Sequence, residues 1–136
     1  MGGCRVGYMM AHPDLIREVT KATLPYNINI FSETVALLAL EHNDELQDYI
    51  RRIVAERERL IAELKHLEQI KIYTSHANFV LIKLQHNATS LFEFLLARDI
   101  LVRDVSRYPL LKNCLRISVG TEEENNRLVA AFREWA

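Results

Sequence analysis

The chain has 136 residues, 49% of them hydrophobic and 26% charged, with a formal net charge of −1. A chain of this length buries roughly two-thirds of the surface it exposes when unfolded, enough for one domain with its own core. The near-neutral charge gives no electrostatic basis for nucleic acid or a membrane surface as the main partner. No apolar run approaches the ~18 residues of a membrane span, and the start lacks the basic, apolar and small-residue regions of a secretory signal. Cys4 and Cys114 form no paired spacing, which fits a reducing compartment, and a cytoplasmic location is the expectation.

With three prolines and four glycines, the chain should be dominated by regular elements. Val6 to Met10 is apolar and reads as a strand or its edge. Pro13 suits the first turn of a helix that continues through Val19. Leu24 to Asn29, with Pro25, reads as a loop. Phe31 to Leu40 is helical, and His42-Asn43-Asp44 offers a break and a new N-cap. Leu46, Tyr49, Ile50, Ile53, Val54, Leu60, Ile61, Leu64 and Leu67 then recur at helical steps, interrupted only at Arg57. That spacing predicts one long amphipathic helix packed on the chain's own sheet. Arg51, Arg52, Arg57 and Arg59 alternate with acids and read as its solvated face.

Strand patterns follow. Ile70 to Thr74 alternates, whereas Ala77 to Leu84 is nearly continuous in apolar character, which predicts burial on both faces. Asn87 or Ser90 opens a short helix to Arg98, and Ser90 with Glu93 fits a capping box. Ile100 to Val105 and Leu115 to Val119 are two more strands. Thr121 with Glu124 has capping-box spacing, and Leu128, Val129, Phe132 and Trp135 give the last helix one apolar face. The order β-β-α-β-β-α after the long helix predicts an α+β fold, one sheet with helices packed on it.

His12, His42, His66, His76 and His86 match no metal-ligand spacing. No nucleophile motif surrounds either cysteine, and no GxSxG occurs. Arginine is more informative. Arg5 sits among glycines, and Arg103 and Arg116 each interrupt an apolar strand. A buried charge needs an opposite charge, and the planar guanidinium fork suits phosphate or carboxylate. On spacing alone, a salt bridge to Asp104 or Glu122 remains the alternative.

Gly3-Cys4-Arg5-Val6-Gly7-Tyr8 resembles the segment that follows the Schiff-base lysine in fold-type-I pyridoxal-phosphate aminotransferases. Ala77-Asn78-Phe79-Val80, Leu101-Val102-Arg103-Asp104 and Leu115-Arg116-Ile117-Ser118-Val119-Gly120-Thr121 then occur in the order seen in histidinol-phosphate aminotransferases. The thirteen-residue step from Arg103 to Arg116 agrees with that family, and the similarity covers essentially the whole chain.

The resemblance implies that residues 1–30 are a remnant of the large cofactor-binding domain and residues 31–136 the small C-terminal domain. It implies that Arg5 binds the cofactor phosphate, Arg116 holds the acidic group of the substrate and Arg103 assists on the substrate phosphate. Asn78 is either a substrate contact or a structural amide at a strand start. Tyr26 lies in a segment that faces the pocket in the family, with ordinary loop packing as the alternative. The parent enzyme would be a homodimer using pyridoxal phosphate, an amino donor and a 2-oxo acid. Histidinol phosphate and 2-oxoglutarate, the pair of histidine biosynthesis, match best.

By the same resemblance, the Schiff-base lysine falls before Met1, as do the tyrosine and aspartate that hold the cofactor ring. Lys21, Lys65, Lys71, Lys83 and Lys112 lack the family context, so no catalytic residue is assigned and the chain alone is expected to be inactive. The rival expectation is a stand-alone α+β anion-binding or interaction module without catalysis.

Overall fold

A computed structural model describes residues 2–135. The chain divides after Asp48 into two compact units. The first opens with one turn of 3-10 helix, Gly2–Cys4, and two α-helices, α1 (Pro13–Lys21) and α2 (Ile30–Glu41). Pro13 opens α1 as its spacing predicts, and the His12 side chain accepts the Asp14 N–H. Asn29 caps α2, its Oδ1 accepting the Ser32 N–H at 2.9 Å. Residues 6–12 are irregular rather than the expected strand. A strand needs a paired neighbour, and all four described strands lie in the other unit.

The long helix α3 (Asn43–Leu64) is present, and its residues from Tyr49 onward belong to the second unit. After it come β1 (Ile70–Ile72), β2 (Phe79–Leu84), α4 (Ala88–Leu96), β3 (Arg103–Asp104), β4 (Cys114–Ser118) and α5 (Glu122–Trp135). This is the expected β-β-α-β-β-α order. The four strands make one antiparallel sheet in the order β1-β2-β4-β3. The β2–α4–β3 connection therefore steps over β4, which slots in between.

Side chains alternate across a strand, so the register assigns the two faces. Val80 opposes Ile117 and Ile82 opposes Leu115. These face Leu60 and Leu64 of α3, Leu91 and Leu95 of α4, and Leu128 and Phe132 of α5 in the core. Each fully buried Leu or Phe contributes roughly 1.5–3 kcal/mol. The other face of β2 carries Phe79, Leu81 and Lys83, which are half-buried or exposed. The expected burial of this strand on both faces is therefore corrected to one. The helices cover a single side.

Three further local expectations change. The strand at Ile100 to Val105 contracts to Arg103–Asp104, because only these two residues pair with β4. Asn87, not Ser90, caps α4: Asn87 Oδ1 accepts the Thr89 N–H at 2.9 Å. Ser90 lies inside that helix and its hydroxyl donates to the Asn87 carbonyl, so the Ser90–Glu93 box is not made. Arg57 is buried, not solvated. Its alkyl stem fills the gap in the apolar stripe, its Nη1 donates to the Ala77 carbonyl at 3.1 Å, and its Nη2 reaches Glu58 at 2.8 Å.

The capping box at the last helix forms as expected. The Glu124 N–H donates to Thr121 Oγ1, and Glu124 Oε2 accepts the Thr121 N–H at 2.7 Å. Gly120 suits the position just before it: a Cβ there would lie 3.0 Å from the Glu124 Cβ and 2.6 Å from its carboxylate, so the capping side chain would have to shift. The buried Asn125 ties this corner together. Its Oδ1 accepts the Gly120 N–H, and its Nδ2 donates to the Gly120 carbonyl and to Glu56 Oε2. Arg59, and then Asn125, hold the Glu56 carboxyl below the usual carboxylate range. Asn125→Ala should lower the unfolding free energy by about 1–3 kcal/mol, since it strands Gly120 groups without partners. Urea denaturation checks this, and unchanged stability would remove Asn125 from the account.

Candidate functional site

The register that buries Leu115 and Ile117 turns Arg116 to the opposite face of β4. The β3–β4 pairing then sets Arg103 directly opposite Arg116. Two like charges on opposed positions repel each other unless an anion lies between them. The salt-bridge alternative is not realised. Among the described residues neither arginine pairs with a carboxylate. Asp104 Oδ1 instead accepts the Ser106 N–H at 2.8 Å.

Both arginines line one cavity of about 620 Å³, together with Phe92, Leu101, Val102, Asp104, Arg107 and Ser118. The Arg116 guanidinium lies over the Phe79 ring, 5.3 Å from its centre. Its Nε is buried and donates to no acceptor among the described residues. A buried donor left open in this way marks a place where an acceptor is wanted.

Tyr108 and Arg107 are additions that the sequence reading missed. Arg103 Nη2 reaches the Tyr108 hydroxyl at 3.5 Å, and the Arg107 guanidinium lies 5.4 Å from the Tyr108 ring centre. Arg107, and then Arg103, push the Tyr108 phenol below its ordinary value, because the phenolate gains two cationic neighbours. The available signal was the recurrence of Arg103, Arg107 and Arg116 within one short segment. Arg107 lies outside any strand pattern, so spacing alone does not tie it to the other two.

The remaining candidate residues lie elsewhere. Asn78 is exposed just ahead of β2 and does not line this cavity. Its carbonyl accepts the Val119 N–H at 2.9 Å. Arg5 and Tyr26 belong to the first unit. Both are exposed with left-handed backbones, φ 55° and 57°. The Cys4 carbonyl just before Arg5 accepts the Ser32 hydroxyl at 2.7 Å, in the first turn of α2. The Arg5 backbone is thereby tied to a helix N-terminus, where free N–H groups favour anions.

The family model described as Aminotransferase class I and II matches residues 1–132. The histidinol-phosphate aminotransferase of Ruminiclostridium cellulolyticum is 41% identical over 129 residues, covering 95% of this chain and 36% of that enzyme. The solved histidinol-phosphate aminotransferase of Clostridium acetobutylicum aligns with a TM-score of 0.77 at 27% identity, over 90% of this chain and 37% of that one. The Sinorhizobium meliloti histidinol-phosphate aminotransferase, solved in complex with pyridoxal-5'-phosphate, has a TM-score of 0.74 at 23% identity, over 100% of this chain and 39% of that one, and shows the shared fold. The chain thus spans well under half the length of these relatives. Its α+β fold is that of the matching portion of fold-type-I aminotransferases.

The Tyr108 hydroxyl gives this site a direct readout. The absorbance difference between the parent sequence and Tyr108→Phe should report a phenol that ionises at lower pH than ordinary tyrosine, and Arg103→Gln should move that ionisation upward. An ionisation indifferent to Arg103 would contradict the contact.

Proposed function

Because the chain belongs to the aminotransferase class I and II family, we propose that the protein containing it transfers the amino group of histidinol phosphate to 2-oxoglutarate. In this reading, residues 31–136 are the small domain and residues 1–30 part of the large cofactor-binding domain. The observation that carries the reading is the opposed pair Arg103 and Arg116, without carboxylate partners, on the wall of one cavity. Arg116 holds the acidic group of the substrate, and its buried open Nε supports that role. Arg103 assists on the substrate phosphate. The Phe79 ring beneath Arg116 limits where that side chain can swing. Asn78 and Tyr26 do not line this cavity, and their substrate-contact roles rest on the family resemblance alone.

Class I and II aminotransferases depend on pyridoxal phosphate, which supplies the carbonyl that accepts the amino group when bound. The residues of this chain fit the phosphate end of that group through Arg5. They do not fit its reactive end. Lys21, the one lysine in the same unit as Arg5, donates to Glu18 at 2.7 Å. Lys65, Lys71, Lys83 and Lys112 lack the sequence context of the cofactor-carrying lysine in the family. In this reading the lysine that carries the cofactor belongs to the portion of the relatives that this chain does not match.

The surface of the first unit supports membership of a larger body. α2 is apolar all round yet buries only Ser32, leaving Phe31 81% and Leu40 70% exposed. A helix of that character is normally covered. The family-type homodimer and the cytoplasmic location belong to the same proposal.

Two outcomes follow. In the full-length enzyme, Arg116→Ala should raise the KM for the acidic substrate about ten- to a hundred-fold, the equivalent of one charge-assisted contact of roughly 1.5–3 kcal/mol. Unchanged steady-state kinetics would sink the assignment. The 136-residue chain alone, given pyridoxal phosphate, histidinol phosphate and 2-oxoglutarate, should form no glutamate. Glutamate formation would place the reactive amine within this chain.

A further inference from the structure

Arg107 has no part in the reading above, yet it lines the same cavity as Arg103 and Arg116. We propose that Arg107 is a third ligand of the acidic group bound there, and that it makes the site select a doubly charged phosphate monoester over a single carboxylate. The inference rests on the reading of this cavity as a substrate site.

Charge is the first argument. The lining residues include three arginines and one acid, Asp104, a net of two positive charges. Asp104 is already engaged by the Ser106 N–H. Tyr108 neighbours both Arg103 and Arg107, but a neutral phenol cannot balance two cations. A carboxylate offers one charge and two oxygens, which a single guanidinium fork satisfies. A phosphate monoester offers about two charges and three terminal oxygens, which match three forks.

Rigidity is the second argument. Arg107 follows β3 on a turn that is hydrogen-bonded on several sides. The Val105 carbonyl accepts the Tyr108 N–H, the Tyr108 carbonyl accepts the Leu111 N–H, and the Cys114 carbonyl accepts the Val105 N–H. The Ser106 hydroxyl donates to Cys114 as well. Arg107 is thus presented from a fixed backbone, which lowers the ordering cost of binding. Phe92, Leu101 and Val102 form the apolar part of the same lining, with Val102 buried. The other opposed cationic pair, Lys71 and Lys83, differs. Both lysines are exposed, and neither holds a buried open donor as Arg116 does.

Two measurements test the proposal. In the full-length enzyme, Arg107→Gln should lower the preference in kcat/KM for histidinol phosphate over unphosphorylated histidinol by about ten-fold or more, with the change in KM, and Arg107→Lys should restore part of it. An unchanged preference overturns the role of Arg107. Independently, inorganic phosphate added to the 136-residue chain should raise the pH at which Tyr108 ionises more than acetate does, and Arg107→Gln should abolish that difference. If phosphate acts this way but the enzyme does not use histidinol phosphate, the proposed substrate falls while the role of Arg107 stands. If phosphate and acetate act alike, the role of Arg107 falls.

Discussion

The antiparallel register between β2 and β4 fixes both the core and the site. It sets Val80 against Ile117 and Ile82 against Leu115 on the helix-covered face, and Leu81 against Arg116 on the other. A slip of one residue would exchange the faces, driving Arg116 into a core that offers it no carboxylate and exposing Leu115 and Ile117. The β3–β4 pairing inherits the same constraint and delivers Arg103 opposite Arg116. Hydrophobic burial on one side of the sheet is therefore what aligns two cations on the other.

The polar break in α3 serves that arrangement. Its neighbours Glu56 and Arg57 reach the two chain segments at one end of the sheet. Arg57 holds the Ala77 carbonyl ahead of β2, and Glu56 holds Asn125, which clasps Gly120 after β4. The Asn78 carbonyl and the Val119 N–H close the same end. Two charged side chains of one helix thus fix the entry to β2 and the exit from β4. Their low exposure shows that the helix face they occupy was built inward rather than toward water.

The first unit has a different balance. Its helices are specified locally by the Asn29 cap and Pro13, and the Ser32–Cys4 bond ties the start of the chain to α2, but most of its apolar side chains remain exposed. Local capping makes helices without a core of their own. That pattern suits a segment whose covering partners lie in the larger part of an aminotransferase chain, of which this sequence matches 36% in the R. cellulolyticum enzyme.

The sequence by itself determined the β-β-α-β-β-α order after the long helix, the Thr121–Glu124 cap, the long helix, the interrupted stripe and the family. Those signals are local or periodic: a cap spans three residues, a helix repeats every 3.6, and the Leu115 to Thr121 motif is contiguous. It could not determine which interruption was structural. Arg57 and Arg116 both break apolar patterns, yet one braces a loop from inside and the other faces a cavity. Nor could it show that Arg107, outside any strand pattern, joins Arg103 and Arg116 on one wall. Only the tertiary structure decided these points, because the burial of a charge and the gathering of separate arginines along one cavity depend on strand register and loop path, which no local pattern encodes.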